Sequence, residues 1–220
     1  MALFEPRTPG LENPMSKNIG LLTALLLGLF LLPGAGAAQF RIIPQVGLYA
    51  SVSDLGTVDS SDGIRTVGEQ ETSLAYGLTL EFASDNLLAL RLTGLYGSDS
   101  EVPVGGIGCS GSACDLRSTL LGLSASAVLR PIGTGSPFRP YILAGGGMKR
   151  YDFEFFSDTQ IKDAFGDESQ AAGVLGVGFD WNLEILRGNL EVVDYISGSV
   201  LEDGDRQHDF FLTVGLILGR

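Results

Sequence analysis

Histidine occurs once and cysteine twice in this 220-residue chain, and basic residues are outnumbered 26 to 14 by acidic ones. So few soft or imidazole ligands, without metal-ligand spacing, exclude a zinc- or iron-type centre. The aspartates lack the spacing of an EF-hand loop. A formal net charge of -12 argues against a nucleic-acid partner, which is bound through neutralised phosphates. No Gly-x-Ser-x-Gly element is present, so the usual serine-hydrolase elbow is excluded. After Ala38 no apolar run reaches the roughly 20 residues of a spanning helix. No segment there keeps a helical period either. Nothing implies a cofactor.

What the chain does have is 31 glycines and an alternation of period two. In Phe210-Phe-Leu-Thr-Val-Gly-Leu-Ile-Leu218, Phe210, Leu212, Val214, Leu216 and Leu218 share one parity. Asp209, Thr213, Gly215 and Gly219 share the other. Successive side chains of a strand point to opposite faces, so one face is greasy and the other small or polar. Eight such strands are expected: Gln39 to Val52, Ser73 to Ala83, Leu87 to Ser98, Leu116 to Arg130, Phe138 to Phe155, Gln170 to Asn182, Arg187 to Ser197 and His208 to Arg220. The parity of the fifth is ambiguous around Gly145-Gly-Gly147, where a bulge is expected. The connections alternate between short turns and long polar loops, the mark of an outer-membrane barrel.

The N-terminal residues 1–38 read as a leader and signal peptide, with Met15 as the true start. Lys17 supplies the positive region, Ile19 to Leu32 the apolar core and Ala35-Gly-Ala37-Ala38 the small residues before cleavage. Residues 39–220 then form one domain.

Large apolar residues on one face fill the inside of a soluble barrel or face lipid in a membrane barrel. The minority face decides between them. It collects Arg41, Glu81, Arg91, Arg130, Asp180 and Glu191 among Gly, Ala, Ser and Thr, rather than the dense Lys and Glu of a water-facing wall. The reading is an all-β, eight-stranded, antiparallel up-and-down transmembrane β-barrel, with those six charges paired inside a lumen that side chains fill. Phe40, Tyr76, Phe82, Tyr96, Phe179 and Trp181 are candidates for interfacial girdles.

The signal segment, Arg139-Pro-Tyr-Ile-Leu-Ala-Gly-Gly-Gly147, Gly173-Val-Leu-Gly-Val-Gly178, Leu190-Glu-Val-Val-Asp-Tyr195 and the closing strand together resemble the small outer-membrane β-barrel family of the OmpA/OmpX type. The resemblance implies residence in the outer membrane of a Gram-negative-type bacterium. Outer-membrane lipid, lipopolysaccharide and the barrel-assembly machinery are the implied partners. Members of this family usually end in an aromatic residue, whereas this chain ends Leu218-Gly-Arg220.

Cys109 and Cys114 lie in one Gly/Ser loop of an exported chain and read as a disulfide. His208 sits at the outer end of the last strand, near Ser197, Ser199 and Glu202. A lipid hydrolase would need such a set, but the lone histidine reads as a polar residue at a loop boundary. The long loops are acidic, with Asp54, Asp59, Asp62, Asp163, Asp167 and Glu202 among them. The expectation is a monomeric, non-enzymatic barrel with a structural or surface-interaction role. A narrow porin, a periplasmic lipocalin-like binder and a lipid-modifying enzyme are the alternatives.

Overall fold

A computed structural model describes residues 39–53, 56–60, 63–67, 70–83, 87–102, 104–106, 116–132, 136–155, 168–183, 185–198 and 206–219. The leader and the Cys109–Cys114 pair lie outside the described residues. So do most of the acidic loop positions.

The alternating segments form strands: β1 Gln39–Ser51, β2 Gly56–Ser60, β3 Gly63–Val67, β4 Ser73–Ala83, β5 Leu88–Val102, β6 Val104–Gly106, β7 Leu116–Leu129, β8 Phe138–Phe155, β9 Glu168–Asn182, β10 Arg187–Ser197, β11 Gln207–Leu216 and β12 Leu218–Gly219. β1, β4, β5 and β7 to β11 pair antiparallel with their sequence neighbours, and β11 and β12 return to β1 to close the ring. This is the expected eight-stranded up-and-down barrel. β12 continues the last strand.

The register fixes its dimensions. A cross-strand row starts at Ala50 and passes through Phe210, Asp194, Leu175, Ala144, Ala127, Leu90 and Phe82. It returns to β1 at Phe40, ten residues lower on the same strand. With ~3.3 Å per residue and ~4.7 Å between strands, eight strands sheared by ten tilt at roughly 40° around a backbone radius of about 8 Å. That leaves room for inward side chains and little more.

The two faces separate as the alternation demands. Val46, Leu48, Leu78, Leu123, Ile142, Val177, Leu212 and Val214 are all exposed on the outer wall. An outward aliphatic belt of this extent belongs in hydrocarbon, where a closed ring also pairs its backbone groups. Phe40 packs tilted against Phe82 at 5.2 Å and Phe179 against Trp181 at 5.9 Å, both at the short-turn end. Tyr76 and Tyr96 face each other across β4 and β5 toward the loop end. The candidate aromatics thus take positions at both edges of the belt.

Three features depart from expectation. β8 runs through Gly145–Gly147 in unbroken register with β7 and β9, so no bulge lies there. The bulge is in β5, between Gly97 and Ser100, where pairing with β7 shifts by one residue. Below it the odd residues of β5 point inward, and above it Ser100 and Val102 do. The loop segments also hold a separate three-stranded sheet in the order β2-β3-β6. Polar composition gave no sign of it.

One seam has a built-in gap. Val52 N–H donates to the His208 carbonyl at 3.2 Å, so even-numbered residues of β1 aim their backbone groups at the last strand. Pro44 falls in that set, opposite Leu216, and has no N–H to give. The ladder accordingly stops at Gln45–Gly215 and resumes at Ile42–Leu218. Below the gap, the Arg187 side chain bonds the Gly219 carbonyl. Pro44→Val should restore the donor. A backbone carbonyl unpaired in lipid costs several kcal/mol, which outweighs the ~0.4–1 kcal/mol that proline contributes by stiffening the unfolded chain. The variant should therefore unfold at higher urea than wild type, with slower amide exchange at Ile42 and Leu218. An unchanged urea midpoint would show that the seam is already satisfied.

Candidate functional site: the occupied lumen

The lumen is built of layers. In the half nearer the short turns, the structure brings Arg41, Glu81, Arg91, Arg130, Asp180 and Glu191 into one cluster. Glu81 is its hub. It accepts from Arg91 Nε at 2.6 Å and Arg130 Nη2 at 2.7 Å on Oε2, and from Arg41 Nη1 at 3.0 Å on Oε1. Arg130 Nε reaches Asp180 Oδ2 at 3.0 Å, and Arg91 also donates to Glu191. Three guanidinium groups meet three carboxylates at ion-pair distance, and a fourth, Arg139 of β8, is buried opposite Asp180 at the edge of the cluster. Glu81 and Arg91 are fully buried.

Tyr141 knits this layer together. Its hydroxyl donates to Glu191 Oε2 at 2.7 Å, and its ring lies 4.5 Å beneath the Arg91 guanidinium. The ring crosses the backbone of Gly178, where an added Cβ would come within 2.6 Å of it. A cation over an aromatic face is favourable, more so when both are dry.

Above the cluster, Gln45, Thr79, Thr93 and Thr213 hydrogen-bond across the bore at 2.9–3.3 Å. Next comes an aromatic and aliphatic layer. Phe211 packs on Tyr49 at 5.1 Å and on Tyr195 at 5.6 Å, with Leu95, Val174 and Val193 buried at neighbouring positions. Toward the loop end lies a second charged group. Asp209 accepts from Tyr49 at 2.8 Å and Tyr151 at 2.6 Å, and it pairs with Lys149. Gln70, from the segment entering β4, sits against the Tyr49 hydroxyl and donates to Ser118 Oγ at 2.6 Å. It is buried there.

Sequence reading missed Arg139, Tyr141, Lys149 and Tyr151, all buried on β8. Their signal was present. An unbroken period of two through the three glycines puts every one of them inside. The mixed small-and-charged minority face also hid the inward Leu95, Leu120, Leu143 and Phe211.

His208 stands apart from the lumen. Ser197 faces inward and bonds Gln170 at 2.7 Å, so it cannot join a set with His208. Ser199 and Glu202 lie outside the described residues. The carboxylate that His208 does meet is Asp194, Nδ1 to Oδ2 at 2.8 Å, on the outer wall.

No family model and no curated protein matches the sequence. Among solved structures, the chain is similar to the outer membrane protein OprG from Pseudomonas aeruginosa. The TM-score is 0.56 and the identity 16%, over 84% of this chain and 99% of that one. It is also similar to Neisserial surface protein A, with a TM-score of 0.53 and 14% identity over 82% and 97% of the two chains. The shared fold is that of the small outer-membrane barrels.

The hub position of Glu81 generates a test. Glu81→Gln removes the carboxylate shared by Arg41, Arg91 and Arg130 and leaves one more positive charge uncompensated, a change of about 3–5 kcal/mol. Its urea midpoint should fall well below that of wild type, read from the gel mobility of folded and unfolded forms. Arg41→Gln in the same chain restores the wild-type net charge of the layer and should recover part of the loss. A double variant weaker than both singles would show that shape, not charge balance, governs the layer.

Proposed function

We propose that this chain is an exported, non-enzymatic barrel of a Gram-negative-type outer membrane that works through its outer wall and its loop face. The observation that carries the reading is the filled lumen. Within a radius of about 8 Å, buried ion pairs, a threonine–glutamine layer, an aromatic layer and a second ion pair follow one another. A solute path would need a continuous water column, and each layer obstructs it. Opposite charges attract more strongly where water is excluded, so the lower cluster has little tendency to swing aside.

On this reading residues 1–38 direct export and are removed. The barrel-assembly machinery inserts the chain, and outer-leaflet lipid including lipopolysaccharide surrounds it. The acidic loops face the medium, with Cys109 and Cys114 joined in one of them. A monomer suffices, since the ring closes on itself and leaves no strand edge within the bilayer.

Membrane fractionation tests the location. The protein should cofractionate with outer membranes and run faster unboiled than boiled in SDS gels. Recovery from the soluble periplasm would overturn it. In planar bilayers the pure protein should give no stable conductance steps. Large ohmic steps would show an open bore and favour a porin.

A further inference from the structure

Along the apolar belt the outward side chains of the described strands are aliphatic, aromatic or small, with one exception. Asp194 points outward on β10 between Val192 and Ile196, its neighbours on the same face. An acidic group at this depth is expensive and marks function by default. Its partner is the only histidine of the chain, above it at the rim of the wall. Held through Nδ1, the His208 ring turns Nε2 away from the carboxylate, the arrangement that fixes an imidazole for use on its other side. The ring also stacks on Phe210 at 6.3 Å. Ser53 Oγ accepts the His208 backbone N–H at 3.2 Å and donates to the Arg206 carbonyl at 3.0 Å, so this hydroxyl is engaged with the main chain. The pair is equipped to bind, with no nucleophile beside it among the described residues.

A groove of about 590 Å³ on the outer wall reaches Asp194 and stops short of His208, which stands above that end. Asp194 and Phe210 line one end. It then descends diagonally past Leu175, Ala144 and Ala127 toward Leu129. The wall is low there because Ala127 and Ala144 are small, with Leu129 and Ile142 rising on their lower side and Ala125 and Gly146 equally small above them. Asp194 Oδ1 is buried and has no hydrogen-bond partner, so the accessible polar atom of the pair is His208 Nε2.

We infer that the groove seats one acyl chain of an outer-leaflet glycolipid, and that His208 with Asp194 takes its phosphorylated, hydroxyl-bearing head. The inference rests on the outer-membrane reading above. The shape is what selects a lipid chain. A second barrel presents a convex wall that cannot enter a diagonal furrow, and bilayers give protein surfaces no hydrophobic drive to associate. For the same reason the groove adds fit rather than affinity, and the polar head decides binding. Nε2 donates to a phosphate oxygen when the ring is charged and accepts from a sugar hydroxyl when it is neutral. A phosphorylated sugar offers both.

Native mass spectrometry of the detergent-solubilised full chain tests this, with diphosphoryl lipid A, its dephosphorylated form and phosphatidylglycerol as probes. Wild type should retain one lipid A in preference to the other two. His208→Ala should lower retention about tenfold, the equivalent of one charge-assisted hydrogen bond. Asp194→Asn should do the same. Ala144→Leu, which fills the furrow, should weaken retention without touching the head, whereas Leu78→Ala on the far wall should not. Equal retention by wild type and His208→Ala, or equal retention of phosphatidylglycerol, would overturn the site. If Asp194→Asn fails to fold, the His208 and Ala144 variants still decide. Normal heat-modifiable barrels without lipid preference would sink this inference alone. A soluble wild-type protein would sink the outer-membrane reading as well.

Discussion

A ring of eight strands sheared by ten residues sets every other property of this molecule. In hydrocarbon the backbone must pair with itself, so the sheet has to close. Closing with this shear holds the backbone at a radius of about 8 Å, which inward side chains fill. Large inward groups then cannot be accommodated side by side without small ones opposite them. Tyr141 lies over Gly178, and Tyr49 lies against Gly97 at 2.9 Å from where a Cβ would be. The glycine content is the complement of the buried tyrosines.

Charge follows from the same confinement. With no room for bulk water, an inward carboxylate survives only if arginine, lysine or tyrosine reaches it. Glu81 meets three guanidinium groups, and Asp209 meets two phenols and an ammonium. The Phe211–Tyr195 layer separates the two clusters. Such pairs add little net stability over apolar packing, but breaking one is costly. They favour one register, since a two-residue slip would set Glu81 against Ala89 or Thr93 and Arg41 against Thr79 or Ala83, leaving both charges unpaired.

Much of this was legible in the sequence because two alphabets alternate along each strand. Arg41, Glu81, Arg91, Arg130, Asp180 and Glu191 were readable as inward from parity alone. That they pair inside was expected too, but which partners each takes across the bore depends on the shear, which no single strand encodes. Lys149 and Tyr151 were lost at Gly145–Gly147, where three residues without side chains carry no parity signal. The β5 bulge was equally silent. The β2-β3-β6 sheet is held by backbone pairing in a stretch whose polar composition resembles any surface loop. His208 was noticed beside Ser197, which faces the lumen, whereas its carboxylate partner Asp194 lies on the outer face of β10.

The bulge at Gly97–Ser100 has a consequence for how such a gene can change over generations. Inserting one codon within β7 would turn Ser126 and its successors outward and bring leucines into the bore, reversing both alphabets downstream. Length changes inside a strand therefore have to arrive in pairs. In β5, just above Tyr96, the chain already carries one unpaired residue and resets its parity there. An odd-numbered change is absorbed at that point, leaving the belt and the Arg91 layer below it unaltered. Drift in length, and with it the remodelling of the loop that β6 begins, has a sanctioned place of entry at the top of the wall.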